Sequence, residues 1–175
     1  MSLQPSKVRE QWALHNPGLD TSPMEVVVLV KRASALLDRA LEPLYDGASL
    51  TAPELDLLIP LRYAHGPVIA RSIADHMNLS QAGVSKALSK LERRGYIERN
   101  PNPADRRAAL VTVTSAGQQA VDHLFPRQLG IEAEMFAGLG QDRGAIVDAL
   151  TRLVAVMERH VADDPQYQAH TPPGA

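Results

Sequence analysis

Cysteine is absent from the 175 residues. That absence removes disulfides, thiolate nucleophiles, thiol redox switching and Cys-ligated zinc at once. Aromatics are scarce, with one Trp, two Phe and four Tyr, so Leu, Val, Ile and Ala must fill the core. An excess of one charge is missing too: 18 Lys and Arg stand against 20 Asp and Glu, a formal net charge of −2. No apolar run reaches the roughly 20 residues that span a bilayer, and the first residues carry no secretory hydrophobic segment. A cytoplasmic location is the expectation. His15, His65, His76, His123, His160 and His170 are scattered, which gives no metal-ligand spacing. No Gly-flanked nucleophile turn, phosphate-binding Gly-rich loop or acidic metal cluster occurs, so neither an enzyme nor a resident cofactor is expected.

What is present suits one structural domain: the hydrophobic fraction is 45%, that of an ordinary globular chain. Residues 1–21, with Trp12, His15 and Pro17-Gly18, read as an N-terminal arm or short helix. Ser22-Pro23-Met24-Glu25 has the pattern of a capping box and opens a long apolar helix that Gly47 ends. Thr51-Ala52-Pro53-Glu54 repeats the box before a second helix, in which Pro60 should introduce a kink. Pro67 then stands near the start of a third helix reaching Met77. Asn78 suits a turn, Leu79 plugs beneath it, and Ser80 caps a fourth helix whose Val84, Leu88 and Leu91 face inward and which Gly95 ends. Tyr96 to Asn100 and Arg107 to Val113 read as two strands about a turn. Thr114 caps a fifth helix, bent near Pro126, and Gly138 and Gly140 separate it from a sixth that carries Ile146, Leu150, Leu153 and Met157 on one stripe. The tail over 163–175 is polar and reads as disordered.

This pattern predicts a mainly α chain, a winged helix-turn-helix with about six helices and a two-stranded β-wing. Residues 51–113 form the DNA-binding region, and the helices over 22–50 and 114–162 form a dimerisation layer. Ala74 and Val84 are small or apolar where the two helices of the motif meet. Local charge supports the reading. From Ser80 to Leu110 the cations Lys86, Lys90, Arg93, Arg94, Arg99, Arg106 and Arg107 face only Glu92, Glu98 and Asp105, so 7 − 3 gives +4 in a chain of net −2. The outward face of the fourth helix offers Ser80, Gln81, Ala82, Gly83, Ser85, Lys86 and Lys90. These are short polar groups, a Gln able to pair with adenine, and cations for phosphates. At the hairpin, Asp105 can hold one of Arg106 and Arg107 while the other projects into a minor groove, and Arg99 suits a backbone contact. A winged-helix module that contacts only proteins is the alternative.

The run Leu79-Ser80-Gln81-Ala82-Gly83-Val84-Ser85-Lys86 is followed by Leu91-Glu92-Arg93-Arg94-Gly95-Tyr96-Ile97-Glu98-Arg99 and by Asn102-Pro103-Ala104-Asp105-Arg106-Arg107. With Val113-Thr114-Ser115-Ala116-Gly117, these motifs resemble the MarR family of transcriptional regulators. The resemblance implies a homodimer on a pseudo-palindromic operator, repression, and release by a small-molecule effector. Trp12, Pro17-Gly18-Leu19-Asp20 and Ser22-Pro23-Met24 further resemble the urate-responsive branch, and Asp56 matches that branch's pocket Asp. Ala87 stands where the branch has an Arg, which removes the cation an anionic purine would meet. Two readings stand: Trp12, His15, Asp56 and Arg62 line an effector pocket, or Trp12 anchors the arm and Asp56 pairs with an Arg such as Arg62. For the wing, the double substitution Arg106→Ala and Arg107→Ala should weaken DNA binding by a few kcal/mol at most, each good contact being worth about 1–3 kcal/mol. Unchanged affinity in a gel shift would remove the wing from the interface.

Overall fold

The computed structural model is described for residues 5–77, 80–105 and 108–163. Asn78, Leu79, Arg106, Arg107 and the tail from 164 lie outside the described residues. The chain forms two compact units, residues 1–47 and 48–175.

The first unit holds α1 (Pro5–His15) packed on α2 (Pro23–Tyr45). The N-terminal arm is therefore largely a helix in its own right. Ser22 does not cap α2, because its backbone is already helical (φ −59°, ψ −35°) and its hydroxyl accepts nothing from the first turn. Asp20 does the local work instead: its Oδ1 accepts the Ser22 N–H at 2.9 Å, closing a turn two residues long. Glu25, expected to reach back to the cap, pairs with Arg9 at 3.2 Å. Gly47 follows the helix end at φ 68°, as the left-handed terminator requires.

The second unit runs α3 (Ala52–Arg62), β1 (Val68–Ile69), α4 (Ala70–His76), α5 (Gln81–Arg93), β2 (Ile97–Pro101), β3 (Ala109–Val113), α6 (Ser115–Phe136) and α7 (Arg143–Asp163). Two expectations change here. The wing is three-stranded, in the order β1-β3-β2, because Val68 and Ile69 pair antiparallel with Val111 and Leu110. Pro67 thus precedes an edge strand rather than a helix; two β-branched residues after a proline favour extended backbone. The described residues also hold seven α-helices, one more than expected, with a 3₁₀ turn over Ala137–Asp142 between the last two. Gly140 breaks that turn at φ 50°, ψ −126°. α6 continues as one helix through Pro126.

The core sits where α3, α4, α5 and the sheet converge. Leu55, Leu58, Leu88, Leu91, Ile97, Val111 and Val121 are fully buried, and Ala74 lies buried where α4 packs on α5. α5 ends in a Schellman turn: Gly95 N–H reaches Glu92 O at 2.9 Å and Tyr96 N–H reaches Leu91 O at 3.0 Å. Thr114 ties this turn to α6. Its Oγ1 donates to Gly95 O at 2.6 Å and accepts the Gly117 N–H at 3.1 Å. A Cβ on Gly117 would stand 2.1 Å from Tyr96 O, so only glycine lets α6 begin against this turn. Gly117→Ala should therefore cost stability at the top of the roughly 1–3 kcal/mol range for overpacking. Urea unfolding checks this, and an unchanged midpoint would contradict the close approach.

Candidate nucleic-acid interface

Ser80 caps α5 in extended backbone, its Oγ accepting the Gly83 N–H at 3.2 Å. The cap uses the hydroxyl inward and leaves the first turn presented to solvent: Ala82, Gly83, Ser85 and Lys86 are exposed and Gln81 is partly so. Val84, Leu88 and Leu91 are buried on the opposite side, so α5 is amphipathic as its spacing predicts.

Two polar clusters hold the flanks of this helix. On one flank Glu54 lies 4% exposed and is met from three directions. Its Oε2 accepts the Thr51 N–H at 2.9 Å, Lys90 Nζ stands 2.9 Å from Oε1, and Arg94 Nη1 reaches both oxygens at 2.9 Å. Arg94 also donates to Ser49 O and stacks over the Tyr96 ring at 5.0 Å. Burial alone would raise the Glu54 carboxyl, but hydrogen bonds from Lys90, the Thr51 amide and Arg94, with the Arg94 charge, hold it at about 2 against an ordinary 4.5. On the other flank Arg99 Nη2 donates to Ser89 Oγ at 2.8 Å and Ser85 O at 3.2 Å. Its Nε lies 3.4 Å from Glu92 Oε2, with no hydrogen bond of good geometry.

Several residues expected at the interface are thus already engaged within the protein. Lys90 and Arg99 belong to these clusters, whereas Lys86 points outward and makes no ion pair among the described residues. In the wing, Asn102 is buried and shapes the turn: its N–H reaches Ala108 O at 3.2 Å and its Oδ1 accepts the Ala104 N–H at 3.0 Å. Asp105 N–H returns to Asn102 O at 3.3 Å. Arg106 and Arg107 fall outside the described residues. Glu54 is the residue that sequence reasoning missed, since its capping-box role concealed the two cations brought to it from about 40 residues away.

The expected effector residues are placed as follows. In the first unit Trp12 and His15 share a face of α1, beside an open cavity of about 520 Å³ also lined by Val8, Gln11 and Asn16. His15 Nδ1 lies 2.8 Å from Gln11 O. In the second unit Arg62 forms a two-point pair with Asp122, at 3.1 Å for both bonds, and lies 5.6 Å from the Tyr63 ring centre. Asp56 keeps access to solvent, yet the protein around it removes enough solvation to raise its carboxyl, and the charge of Glu132 adds to this. Among the described residues no three His, Asp or Glu side chains converge on a metal position, and no helix is long and apolar enough to cross a membrane.

The family model described as MarR matches residues 50–109, which span α3 to the start of β3 and so include both helices of the motif and most of the wing. Over those residues the chain is similar to the MarR family. Along 164 residues it is 26% identical to the HTH-type transcriptional regulator PecS of Dickeya dadantii, covering 93% of this chain and 97% of that one. Bordetella bronchiseptica BpsR, whose DNA binding is regulated by 6-hydroxynicotinic acid, is 28% identical with a TM-score of 0.66, over 74% of this chain and 98% of its own. A variant of Escherichia coli MarR solved with operator DNA shares the fold, with a TM-score of 0.67 at 22% identity over 78% of this chain and 97% of its own. The second unit thus holds a winged helix-turn-helix, and the PecS relative it resembles is a transcriptional regulator.

The Glu54 cluster carries a pH dependence with a definite sign. A folded-state value of about 2 below an unfolded 4.5 means the stabilisation is complete above pH 4.5 and is lost as pH falls towards 2. The difference corresponds to about 3 kcal/mol at neutral pH. Glu54→Gln should lower stability at pH 7 and reduce its fall between pH 4.5 and 2, as followed by urea melts across that range. Equal acid limbs in both proteins would show that the carboxylate is not the group titrating.

Proposed function

We propose that this chain is a sequence-specific DNA-binding regulator, a repressor acting as a homodimer on a pseudo-palindromic operator and released by a small-molecule effector. The observation that carries the reading is the first turn of α5, where Ala82, Gly83 and Ser85 are exposed and Gln81 is partly exposed above a buried apolar stripe. A helix end with short polar side chains fits the major groove, and Gln81 can bond the adenine edge with both amide atoms. The helix N-terminus adds partial positive charge toward the phosphates. Lys86 contributes a phosphate contact, and Asp105, Arg106 and Arg107 place a guanidinium at the minor groove beside it.

A second copy is supported by the apolar surface left uncovered. α7 has no buried residue, and Ile146, Val147, Leu150, Val154, Val156, Met157 and Val161 are all exposed along it. In the first unit Val26 to Val30 of α2 are exposed as well. Apolar faces of this extent are covered in stable regulators, and two-fold pairing is the economical cover. For the effector, a small flat acid is the class we favour. BpsR responds to such a molecule, and the cavity along α1 offers the Trp12 indole as a stacking surface with His15 beside it. Trp12→Ala should then bind operator normally while losing its response to aromatic acids; an unaltered response would remove Trp12 from the effector site.

Gln81→Ala tests the core of the reading. Affinity for operator fragments recovered from the source genome should fall by about 1–3 kcal/mol, with little change on random duplex. Equal losses on both would show that the first turn of α5 does not read bases.

A further inference from the structure

We propose that the phosphate-contacting cations of α5 are Lys86 and Arg93, and that Glu54 withdraws Lys90 from this set. The inference rests on the DNA-binding reading above and refines which residues serve it. In the sequence Arg93 counts only toward the local positive charge, whereas Lys90 and Lys86 share the phosphate role.

The argument begins with the helix wheel. Taking the direction of Val84, Leu88 and Leu91 as inward, about 100° per residue places Lys86 and Arg93 within about 20° of straight outward. Lys90 lies about 50° off that direction, rotated toward Arg94 and the Glu54 flank. Ser85 and Ser89 lie off on the other side, toward Arg99, which bonds them. The outward line of α5 is thus Ala82, Lys86 and Arg93, bounded on each side by a polar cluster.

The pairings agree with the geometry. The Lys90 side chain is itself half exposed, but its Nζ lies 2.9 Å from a carboxylate that is almost fully buried, so moving it to a phosphate leaves Glu54 short of a charge-assisted bond. Lys86 and Arg93 are exposed, and neither makes an ion pair or a side-chain hydrogen bond among the described residues. They are seven residues apart, two turns and about 10 Å along one face, which lets them contact separate phosphates. A guanidinium at Arg93 can hold a phosphate by two parallel bonds, which an ammonium cannot. Glu54 is therefore a positioning residue with a consequence for specificity. By keeping Lys90 out of the interface, it trims the sequence-blind part of the affinity while Gln81 and its neighbours keep the sequence-dependent part.

The test measures affinity for a random-sequence duplex against salt, for the full chain and single variants whose fold is checked by thermal melting. Each lost phosphate contact flattens the slope of log affinity against log salt by about 0.9, or about 3.5-fold in affinity between 50 and 200 mM. Lys86→Met and Arg93→Met should each flatten the slope by that amount, and Arg93→Lys should restore most of it. Lys90→Met should leave the slope at the wild-type value, and Glu54→Gln should steepen it by about 0.9 as Lys90 is released. Should Glu54→Gln fail to fold, Lys90→Met still decides, because Glu54 keeps Arg94 and the Thr51 amide in that variant. A flattened slope for Lys90→Met, or an unchanged one for Arg93→Met, overturns the assignment. If the wild-type chain binds no duplex, the DNA reading itself fails. Elution of the same variants from heparin then still ranks the three cations by their availability to a polyanion, and Lys90→Met eluting earlier than wild type refutes the withdrawal.

Discussion

A carboxylate removed from water is unfavourable unless every one of its acceptor sites is met, and Glu54 meets that condition with groups from separate elements. The Thr51 amide comes from the start of α3, and Lys90 and Arg94 come from the end of α5. Arg94 carries the connection on to Ser49, ahead of α3. Apolar burial beneath it, by Leu55, Leu58, Leu88 and Leu91, supplies cohesion roughly in proportion to area but has no direction. Such a core tolerates a helix that rolls or slides. The ion network does not, because a shift of an ångström leaves a buried charge short of partners. The pose of α5, and with it the face offered to a groove, depends on this one side chain.

The same end of the helix is also fixed by backbone. Gly95 and Tyr96 fold back onto the last turn of α5, and Thr114 bonds both the Gly95 carbonyl and the Gly117 amide. Gly117 lets α6 start in contact with Tyr96 O. The strand that leads out to the wing therefore departs at a set angle from α5. Arg99 on that strand returns to Ser85 and Ser89 of the same helix. Helix and wing are joined at two points, so they present to a partner as one rigid surface.

Much of this was legible in local sequence. Ser80 and Thr114 announce caps, Gly95 announces a left-handed stop, and Val84, Leu88 and Leu91 announce the buried stripe; each is settled by residues within a turn or two. What escaped depends on partners far along the chain. β1 is two residues long and exists only because Val111 and Leu110 lie beside it. At Ser22 the cap pattern is intact, but Asp20 closes the turn first and the Ser backbone turns helical too early. Glu54 fits a capping box so well that its pattern leaves no sign of Lys90 and Arg94. The summed charge of the segment has the same weakness, for +4 counts Lys90, Arg94 and Arg99 as if each were available.

That last point bears on how such a chain separates an operator from bulk DNA. Sequence-blind affinity scales with the phosphates neutralised, whereas base readout rests on a few side chains at the front of one helix. A regulator with every cation presented would gain affinity everywhere and so gain nothing in discrimination. Engaging Lys90 and Arg99 inside the fold converts positive charge into rigidity of the reading surface instead. On the dimer reading, α7 extends the same logic. A 21-residue helix with none of its residues buried has little reason to persist alone in water, so its cover and the spacing of the two reading helices would be settled together. Affinity would then come from two rigid copies at a set separation rather than from more charge on each.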